Sequence, residues 1–348
     1  MDKAVAVITG ARGQDASYLA DLLLKEGYVV VGFDRRSSMP DYTNIQHLLK
    51  NEDYRLVAGD LTDFGSIARV VQEYQPREFY NLAAQSYVGA SWDQPLATCE
   101  VNFNGVAHCL EAIRLFSKET RFFQASTSEV YGDALTDDKQ DEHTAARPRS
   151  PYSAAKYGAE SLVKVYRDSY GLFACFARSF NHESERRSKN FVTRKITAYV
   201  GELYQATKDV QDEDRLNAAI QCLARGTLQQ LSLGNIYAKR DWTHASDIVR
   251  GMWHMLNRQT PDDFVLASGQ THSVSEFLDV AFDLVGIKDW SLLVNIDKKL
   301  FRPADVHFLC GDASRAKEML NWEPTISFYD LVERMVWHDV ITNVQKQT

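Results

Sequence analysis

The chain has 348 residues, 45% hydrophobic and 25% charged, with a formal net charge of -8. That composition is of an ordinary globular protein, long enough for one large domain and a smaller one, and no apolar run approaches the ~20 residues of a membrane span. The acidic balance argues against a nucleic-acid or anionic-membrane binder and leaves room for a local basic pocket around a phosphorylated ligand.

Residues 4–9, Ala-Val-Ala-Val-Ile-Thr, are the short β-branched run of a strand buried on both faces. The turn Gly10-Ala11-Arg12-Gly13-Gln14-Asp15-Ala16 follows, then an amphipathic helix through Leu19, Leu22, Leu23 and Leu24, and a second strand over 28–34. A glycine-rich turn between a first strand and a first helix lets the backbone approach a pyrophosphate at a helix N-terminus, so Gly10, Gly13, Gln14 and Asp15 are candidate dinucleotide contacts. A third strand at 54–57 precedes Gly59-Asp60-Leu61-Thr62-Asp63 and a helix through Ile67, Val70 and Val71. Residues 79–84 predict a fourth strand, with Leu82 and Ala84 near its end as candidate cofactor contacts and Gln85-Ser86 just past it. A long helix through Val101, Val106, Leu110 and Ile113 leads to a fifth strand at 121–125. A helix over 152–170 and a sixth strand over 173–178 complete the regular part.

Strands alternating with helices imply an α/β fold, a Rossmann-type doubly wound parallel sheet covered on both faces. Ligands then bind at the carboxyl ends of the strands, where Gly10, Ser86, Thr127 and Glu129 fall. After Asn181 the pattern is irregular, with helix expected over 191–205 and 275–285, strand over 231–233, and a polar, partly helical surface excursion over 206–228. The organisation expected is a dinucleotide-binding domain over 1–180 that includes the helix starting at Tyr152. Residues 181–348 are expected to form a smaller mixed α/β substrate-binding region, some segments of which return to the Rossmann core. The five cysteines, Cys99, Cys109, Cys175, Cys222 and Cys310, are dispersed with no CxxC spacing. They read as reduced thiols, with no metal site, and together with the lack of a signal-peptide pattern predict a cytoplasmic protein.

The chemistry-bearing stretch runs from Ser126 to Lys156. Tyr152 and Lys156 are four apart, so on a helix they share a face. Thr127 and Glu129 are two apart, so at a strand end they point the same way. A strand end facing a helix would bring a hydroxyl, a carboxylate, a phenol and an ammonium together, a set suited to removing protons from a sugar carbon and its hydroxyl.

These residues resemble the extended short-chain dehydrogenase/reductases and, within them, the GDP-mannose 4,6-dehydratase family over nearly the whole chain. The carrying blocks are Gln85-Ser86, Ala125-Ser126-Thr127-Ser128-Glu129, Pro148-Arg149-Ser150-Pro151-Tyr152 on to Lys156, Asn181-His182-Glu183-Ser184, Phe191-Val192-Thr193-Arg194-Lys195-Ile196, Leu233-Gly234-Asn235, Ala238-Lys239-Arg240-Asp241-Trp242 and Arg302-Pro303. The resemblance implies a lyase working by an internal redox cycle on a GDP-sugar. Hydride leaves C4, a C5 proton and the C6 hydroxyl are lost as water, and the hydride returns to C6. It implies roles for Tyr152 as base at the C4 hydroxyl, Lys156 as its cationic support, Thr127 as a hydrogen bond at C4, Ser128 in orienting the site and Glu129 at C5 and C6. Glu129 separates a dehydratase from a GDP-sugar reductase or epimerase, which has no step at C5. GDP-mannose is the substrate implied, with a GDP-heptose or GDP-N-acetylhexosamine as the alternative.

The resemblance also implies NADP, with Arg35 and Arg36 as a clamp for the 2′-phosphate. Asp34 keeps NAD open, because an acidic residue there usually takes the ribose hydroxyls. Asp60 and Leu61 match adenine contacts, Asp60 being equally readable as a helix N-cap motif with Thr62. Ser86, Asn181, Val192, Lys195, Leu233, Gly234, Arg240, Arg302 and Asp305 match GDP-sugar contacts. His182 is read as a structural hydrogen-bonding residue. Arg12 and Arg186-Arg187 are equally readable as cofactor-phosphate contacts across a subunit boundary and as internal salt bridges, and the family implies a dimer or tetramer. Departures from the family pattern are Ala16 for the third glycine, Tyr87 for His, Glu185 for Pro and Asp305 for Glu, and they fall mainly in the substrate half.

Overall fold

The computed structural model describes residues 3–133, 139–301, 304 and 306–345. Six strands follow the predicted order: β1 (Val5–Thr9), β2 (Val29–Asp34), β3 (Tyr54–Ala58), β4 (Glu78–Asn81), β5 (Arg121–Ala125) and β6 (Ala174–Ser179). A seventh, Phe264–Leu266, returns from the second half of the chain to pair with β6. The sheet runs Phe264–Leu266, β6, β5, β4, β1, β2, β3, every neighbouring pair parallel. From β1 the chain winds outward through β2 and β3, then crosses back to β4 on the other side. The strand order therefore reverses between β1 and β4, and the crevice beyond their carboxyl ends is where a doubly wound sheet binds ligands.

Successive strand residues serve opposite faces. Ile8, Tyr80 and Phe123 enter a core with Leu19, Val30 and Trp322, while Val7, Phe79 and Phe122 enter a core with Val106, Ile113 and Val163. All six of those strand side chains are essentially fully buried, each stabilising the fold by about 1.5–3 kcal/mol relative to exposure. A third core gathers Val200, Leu203, Phe277, Phe282, Leu293, Val332 and Met335. Helix Ala245–Leu256 supplies Ile248, Met252 and Met255 to the first core, so late segments do pack on the sheet. Among the described residues no helix is long and apolar enough to cross a membrane.

Two expectations need correction and a third is refined. The fourth strand ends at Asn81, so Leu82 and Ala84 lie in a loop, where the Thr9 hydroxyl accepts hydrogen bonds from the Leu82 and Ala83 amides at 3.0 Å. The long helix is continuous from Pro95 to Phe116, through Pro95–Cys99, a π-helical turn at Glu100–Asn104 and Gly105–Phe116, and is separate from a short helix Ala90–Asp93 before it. The break falls at Pro95, and the π turn at Asn102, whose buried carboxamide pairs with both the amide and the carbonyl of Gln85 at 2.9 and 3.0 Å. Residues 206–228 are not merely a surface excursion. Helix Arg215–Ala224 buries Ala219 in the third core and lets Arg215 donate to the Val285 carbonyl at 2.7 Å.

Candidate active site

Helix Pro151–Tyr170 begins with Pro151 in its first turn and a capping box between Ser150 and Ser153, which sets Tyr152 and Lys156 at the start of the helix, a turn apart. Both are buried. Lys156 Nζ donates to the Ala125 carbonyl at the end of β5 at 2.9 Å and lies 5.9 Å from the centre of the Tyr152 ring. The Thr127 hydroxyl favours the ionised Tyr152 phenol, and the charge of Glu129 acts against it. The hydroxyl, carboxylate, phenol and ammonium therefore do converge, by a different route from the one expected. β5 stops at Ala125, and a 3-10 turn, Ser128–Tyr131, carries Glu129, with Thr127 Oγ1 accepting from the Glu129 amide at 3.2 Å. Gly132 closes that turn at φ +62, where a Cβ would sit 2.0 Å from the Arg147 carbonyl oxygen. Ser128 is buried within the turn.

Burial pushes the Tyr152 phenol up to about 12; Thr127 and Arg187 oppose that rise, while Glu129 and Asp15 add to it. Burial pulls the Lys156 ammonium down to about 8, against the carboxylates of Asp15 and Glu160. At neutral pH the lysine is still mostly charged and the phenol protonated, so any added cation near the phenol favours its use as a base.

The turn after β1 is shaped for close approach. Gly10 has φ +70, and a Cβ there would lie 3.0 Å from Ala83 Cα, so only glycine passes between β1 and the loop after β4. Helix Gln14–Lys25 starts from Gly13, whose lack of a side chain leaves its first turn without a side-chain cap. That is a suitable receptor for a diphosphate. The side chains of Gln14 and Asp15 turn instead toward the strand Asn181–Glu183 and the residue after it. Asp15 Oδ2 is 2.9 Å from His182 Nε2, Gln14 donates to the His182 carbonyl at 3.1 Å, and Ser184 donates to Gln14 Oε1 at 2.8 Å. Burial opposes the Asp15 charge, but His182, Gln14 and Arg187 outweigh it and hold its carboxyl at about 2. Burial lowers and Asp15 raises the His182 imidazole, for a net rise.

Arg12, open to two readings in the sequence, donates through Nε to Asp34 at 2.6 Å and through Nη2 to the Arg35 carbonyl at 3.2 Å. Arg186 and Arg187 pair within the chain too, with Asp21 at 2.7 Å and Glu183 at 3.2 Å. Arg35 and Arg36 are exposed beside Asp34. Asp60 accepts from the Thr62 amide and hydroxyl at 2.9 Å, but the cap of helix Phe64–Tyr74 is Asp63; Leu61 is buried.

On the sugar side, the strand Asn181–Glu183 pairs with Trp242–His244, which brings Asn181 opposite Trp242, two residues after the buried Arg240. Val192 opens helix Val192–Ala206, and Lys195 lies in its first turn. Leu233 ends a strand paired with Val294–Ile296, and a Cβ on Gly234 would press on the Leu300 carbonyl at 2.8 Å. Ser86 is exposed in the loop that Asn102 ties down. Arg302 and Asp305 lie outside the described residues. Buried oxygens of Gln85, Ser179 and Asn181, all at or just past strand ends, find no hydrogen-bond partner among the described residues, as expected where a polar ligand belongs.

Several supporting residues were not singled out from sequence. Asn102 is one; the signal was a polar side chain on the apolar stripe Thr98-Asn102-Gly105-Cys109. Glu160 and Arg178, a buried pair behind Lys156 at 2.8 Å, are others, and a glutamate one turn beyond the lysine was their only trace.

A family profile described as GDP-mannose 4,6 dehydratase matches residues 7–218 and 208–335. A GDP-mannose 4,6 dehydratase of Drosophila melanogaster is 42% identical over 360 residues, covering 97% of this chain and 86% of the relative. One from Vibrio cholerae serotype O1 is 41% identical over 373 residues, covering 98% and 94%. Among solved structures, a dTDP-glucose 4,6-dehydratase from Streptomyces venezuelae with NAD bound superposes with a TM-score of 0.81 at 21% identity over 98% of each chain. A UDP-glucose 4-epimerase from Thermotoga maritima gives 0.80 at 22% identity over 98% and 99%. Those two share the fold, whereas the profile match and 41–42% identity along nearly the whole chain show that the chain belongs to the GDP-mannose 4,6-dehydratase family.

Proposed function

We propose that the protein converts GDP-mannose to GDP-4-keto-6-deoxymannose, as a lyase with a tightly held NADP. The observation that carries this is the gathering of Thr127, Glu129 and Lys156 around the buried Tyr152, in a chain about 41–42% identical to named GDP-mannose dehydratases. A bound nicotinamide dinucleotide would supply the acceptor for the C4 hydride and its return to C6.

The chain's own groups handle protons and position. Tyr152 takes the C4 hydroxyl proton, and Thr127 holds the same oxygen by a hydrogen bond. Lys156 stabilises the phenolate that this requires. Glu129 removes the C5 proton and passes a proton to the C6 hydroxyl, which departs as water. Ser128 fixes the turn that carries Glu129. Asn181, Lys195 and Arg240 are suited to the GDP moiety, the two cations to its diphosphate, with Ser86, Val192, Leu233, Gly234, Arg302 and Asp305 completing the sugar-nucleotide contacts.

For the dinucleotide, the glycine turn at 10–13 takes the diphosphate, Asp60 and Leu61 the adenine, and Leu82 and Ala84 the nicotinamide side. NADP is preferred over NAD because Arg12 already engages Asp34, leaving Arg35 and Arg36 as exposed cations beside a neutralised carboxylate. The working division is residues 1–180 for the cofactor and 181–348 mainly for the GDP-sugar. A homo-oligomer, dimer or tetramer, belongs to the same reading and is supported by the exposed apolar side chains Leu96, Tyr157 and Val165 on adjoining helices.

Incubating the purified protein with a panel of GDP-sugars tests this. A 4-keto-6-deoxy product from GDP-mannose in preference to GDP-heptose or GDP-N-acetylhexosamine is expected. A 4-epimer or a 4-reduced sugar that keeps its C6 hydroxyl would overturn the dehydratase assignment.

A further inference from the structure

Three consecutive side chains after the strand Asn181–Glu183 grip the first helix. Ser184 reaches Gln14, and Arg186 donates to Ser17 and Asp21 at 3.2 and 2.7 Å while its guanidinium lies 4.1 Å from the Tyr18 ring centre. Between them, Glu185 does something different. One of its carboxylate oxygens accepts a short hydrogen bond from the Tyr18 hydroxyl, and the other faces His244 Nε2 at 3.5 Å. His244 is buried at the start of helix Ala245–Leu256, where its Nδ1 accepts from the Ser246 amide at 3.1 Å. The proton of a neutral His244 therefore sits on Nε2, aimed at Glu185. The Tyr18 and His244 rings also meet edge to face at 5.4 Å. Glu185 thus ties the turn to both the dinucleotide helix and the start of a sheet-packed helix.

The next residue but one is Arg187. Its guanidinium is 3.2 Å from Glu183 and stacks 3.5 Å from the Phe191 ring centre, and its charge reaches Tyr152, Asp15 and His182. We propose that Glu185 is a positioning residue: gripped by Tyr18 and His244, its carboxylate fixes the 183–187 turn so that Arg187 faces the catalytic tyrosine. The cation then offsets Glu129 and Asp15, the two carboxylates that act on the phenol, in concert with Lys156. Only the catalytic consequence rests on the dehydratase reading; the placement of Arg187 does not.

His182 reports that placement without any substrate. Asp15 raises its midpoint and Arg187 lowers it, so losing Arg187 or misplacing it moves the His182 midpoint up. In histidine NMR titrations of the full-length protein, Glu185→Ala and Arg187→Gln should each shift His182 upward, and the double variant should shift it no further than Arg187→Gln alone. Glu185→Gln, which keeps the volume but loses the charge, serves if the alanine variant fails to fold and should shift His182 in the same direction. On GDP-mannose the single variants should lower kcat with little change in KM, and Glu185→Asp should recover part of the loss. A His182 midpoint unmoved by Glu185→Ala or Glu185→Gln while Arg187→Gln moves it, or additive shifts in the double variant, would overturn the proposal. Failure of the dehydratase reading alone would leave the His182 shifts in place and remove only the kinetic effect.

Discussion

Arg12 and Asp34 meet at 2.6 Å where the glycine-rich turn abuts the end of β2, and the hydrogen bond raises the arginine further above its ordinary range. In the sequence these two looked like separate clues, one for a phosphate and one for a ribose. Paired, they neutralise each other, and the charge left at the end of β2 is that of Arg35 and Arg36.

The first prediction concerns that charge. Arg35→Ala should weaken NADP binding by about 10–100-fold, the worth of one charge-assisted phosphate contact, while changing NAD binding little. Arg12→Ala should expose Asp34 and shift preference toward NAD. Dissociation constants for both dinucleotides, measured by calorimetry, check both. Equal losses for NADP and NAD in Arg35→Ala would mean that this arginine does not read the 2′-phosphate.

Glu129→Gln separates the steps. Without a carboxylate the C4 hydroxyl can still be oxidised, but the C5 proton has no base, so elimination should slow by roughly 10²–10⁴-fold. The expected outcome is a GDP-4-keto hexose that retains its C6 hydroxyl. In heavy water, a 6-deoxy product carrying deuterium at C5 at the wild-type rate would show that another group is the base.

The Asp15–His182 pair makes stability depend on pH in a defined sense. Asp15 is held at about 2 against 3.8 ordinarily, so its contribution, about 2 kcal/mol, is present above pH 4 and is lost as pH falls toward 2. The His182 imidazole is raised, so its share is full below pH 6.5 and fades as pH rises through its folded-state midpoint. Asp15→Asn should therefore melt below the wild type by the widest margin near pH 5, the gap closing as pH drops toward 3. A gap that stays constant from pH 6 to pH 3 would show that the carboxylate charge is not what stabilises this contact.

What was legible in the sequence follows range. Tyr152 and Lys156 are joined by local helix geometry, and the capping residues Ser150, Pro151 and Ser153 are contiguous with them, so spacing alone predicted their shared face. The same locality served the first six strands, whose apolar runs need no partner to be recognised. Thr127 and Glu129 came together as predicted but on a 3-10 turn, which Gly132 closes against the Arg147 carbonyl, a contact no strand pattern encodes. Phe264–Leu266 has only three residues, too few for periodicity, and becomes a sheet strand by pairing with β6. The side-chain partners of Gln14 and Asp15 were out of reach for a similar reason: they lie 167 and more residues away in the chain, at His182 and Ser184.

Behind the tetrad, Arg178 and Glu160 form a buried pair at 2.8 Å, with Ser126 donating to the same carboxylate and the guanidinium 4.9 Å from the Tyr131 ring centre. Arg178→Met would leave Glu160 buried and unpaired and should cost about 3–5 kcal/mol, read as a lower urea midpoint; Glu160→Leu added to it should restore most of that. Glu160→Gln should act on catalysis as well. Glu160 is one of the two carboxylates that hold the proton on Lys156, whose ammonium burial has already drawn down to about 8. Removing that charge lowers the lysine further, so the ammonium that supports the Tyr152 phenolate is lost at a lower pH. The alkaline limb of kcat should move toward neutrality in Glu160→Gln, with the acid limb unchanged. An alkaline limb that stays in place while stability falls would make the Arg178–Glu160 pair a purely structural support.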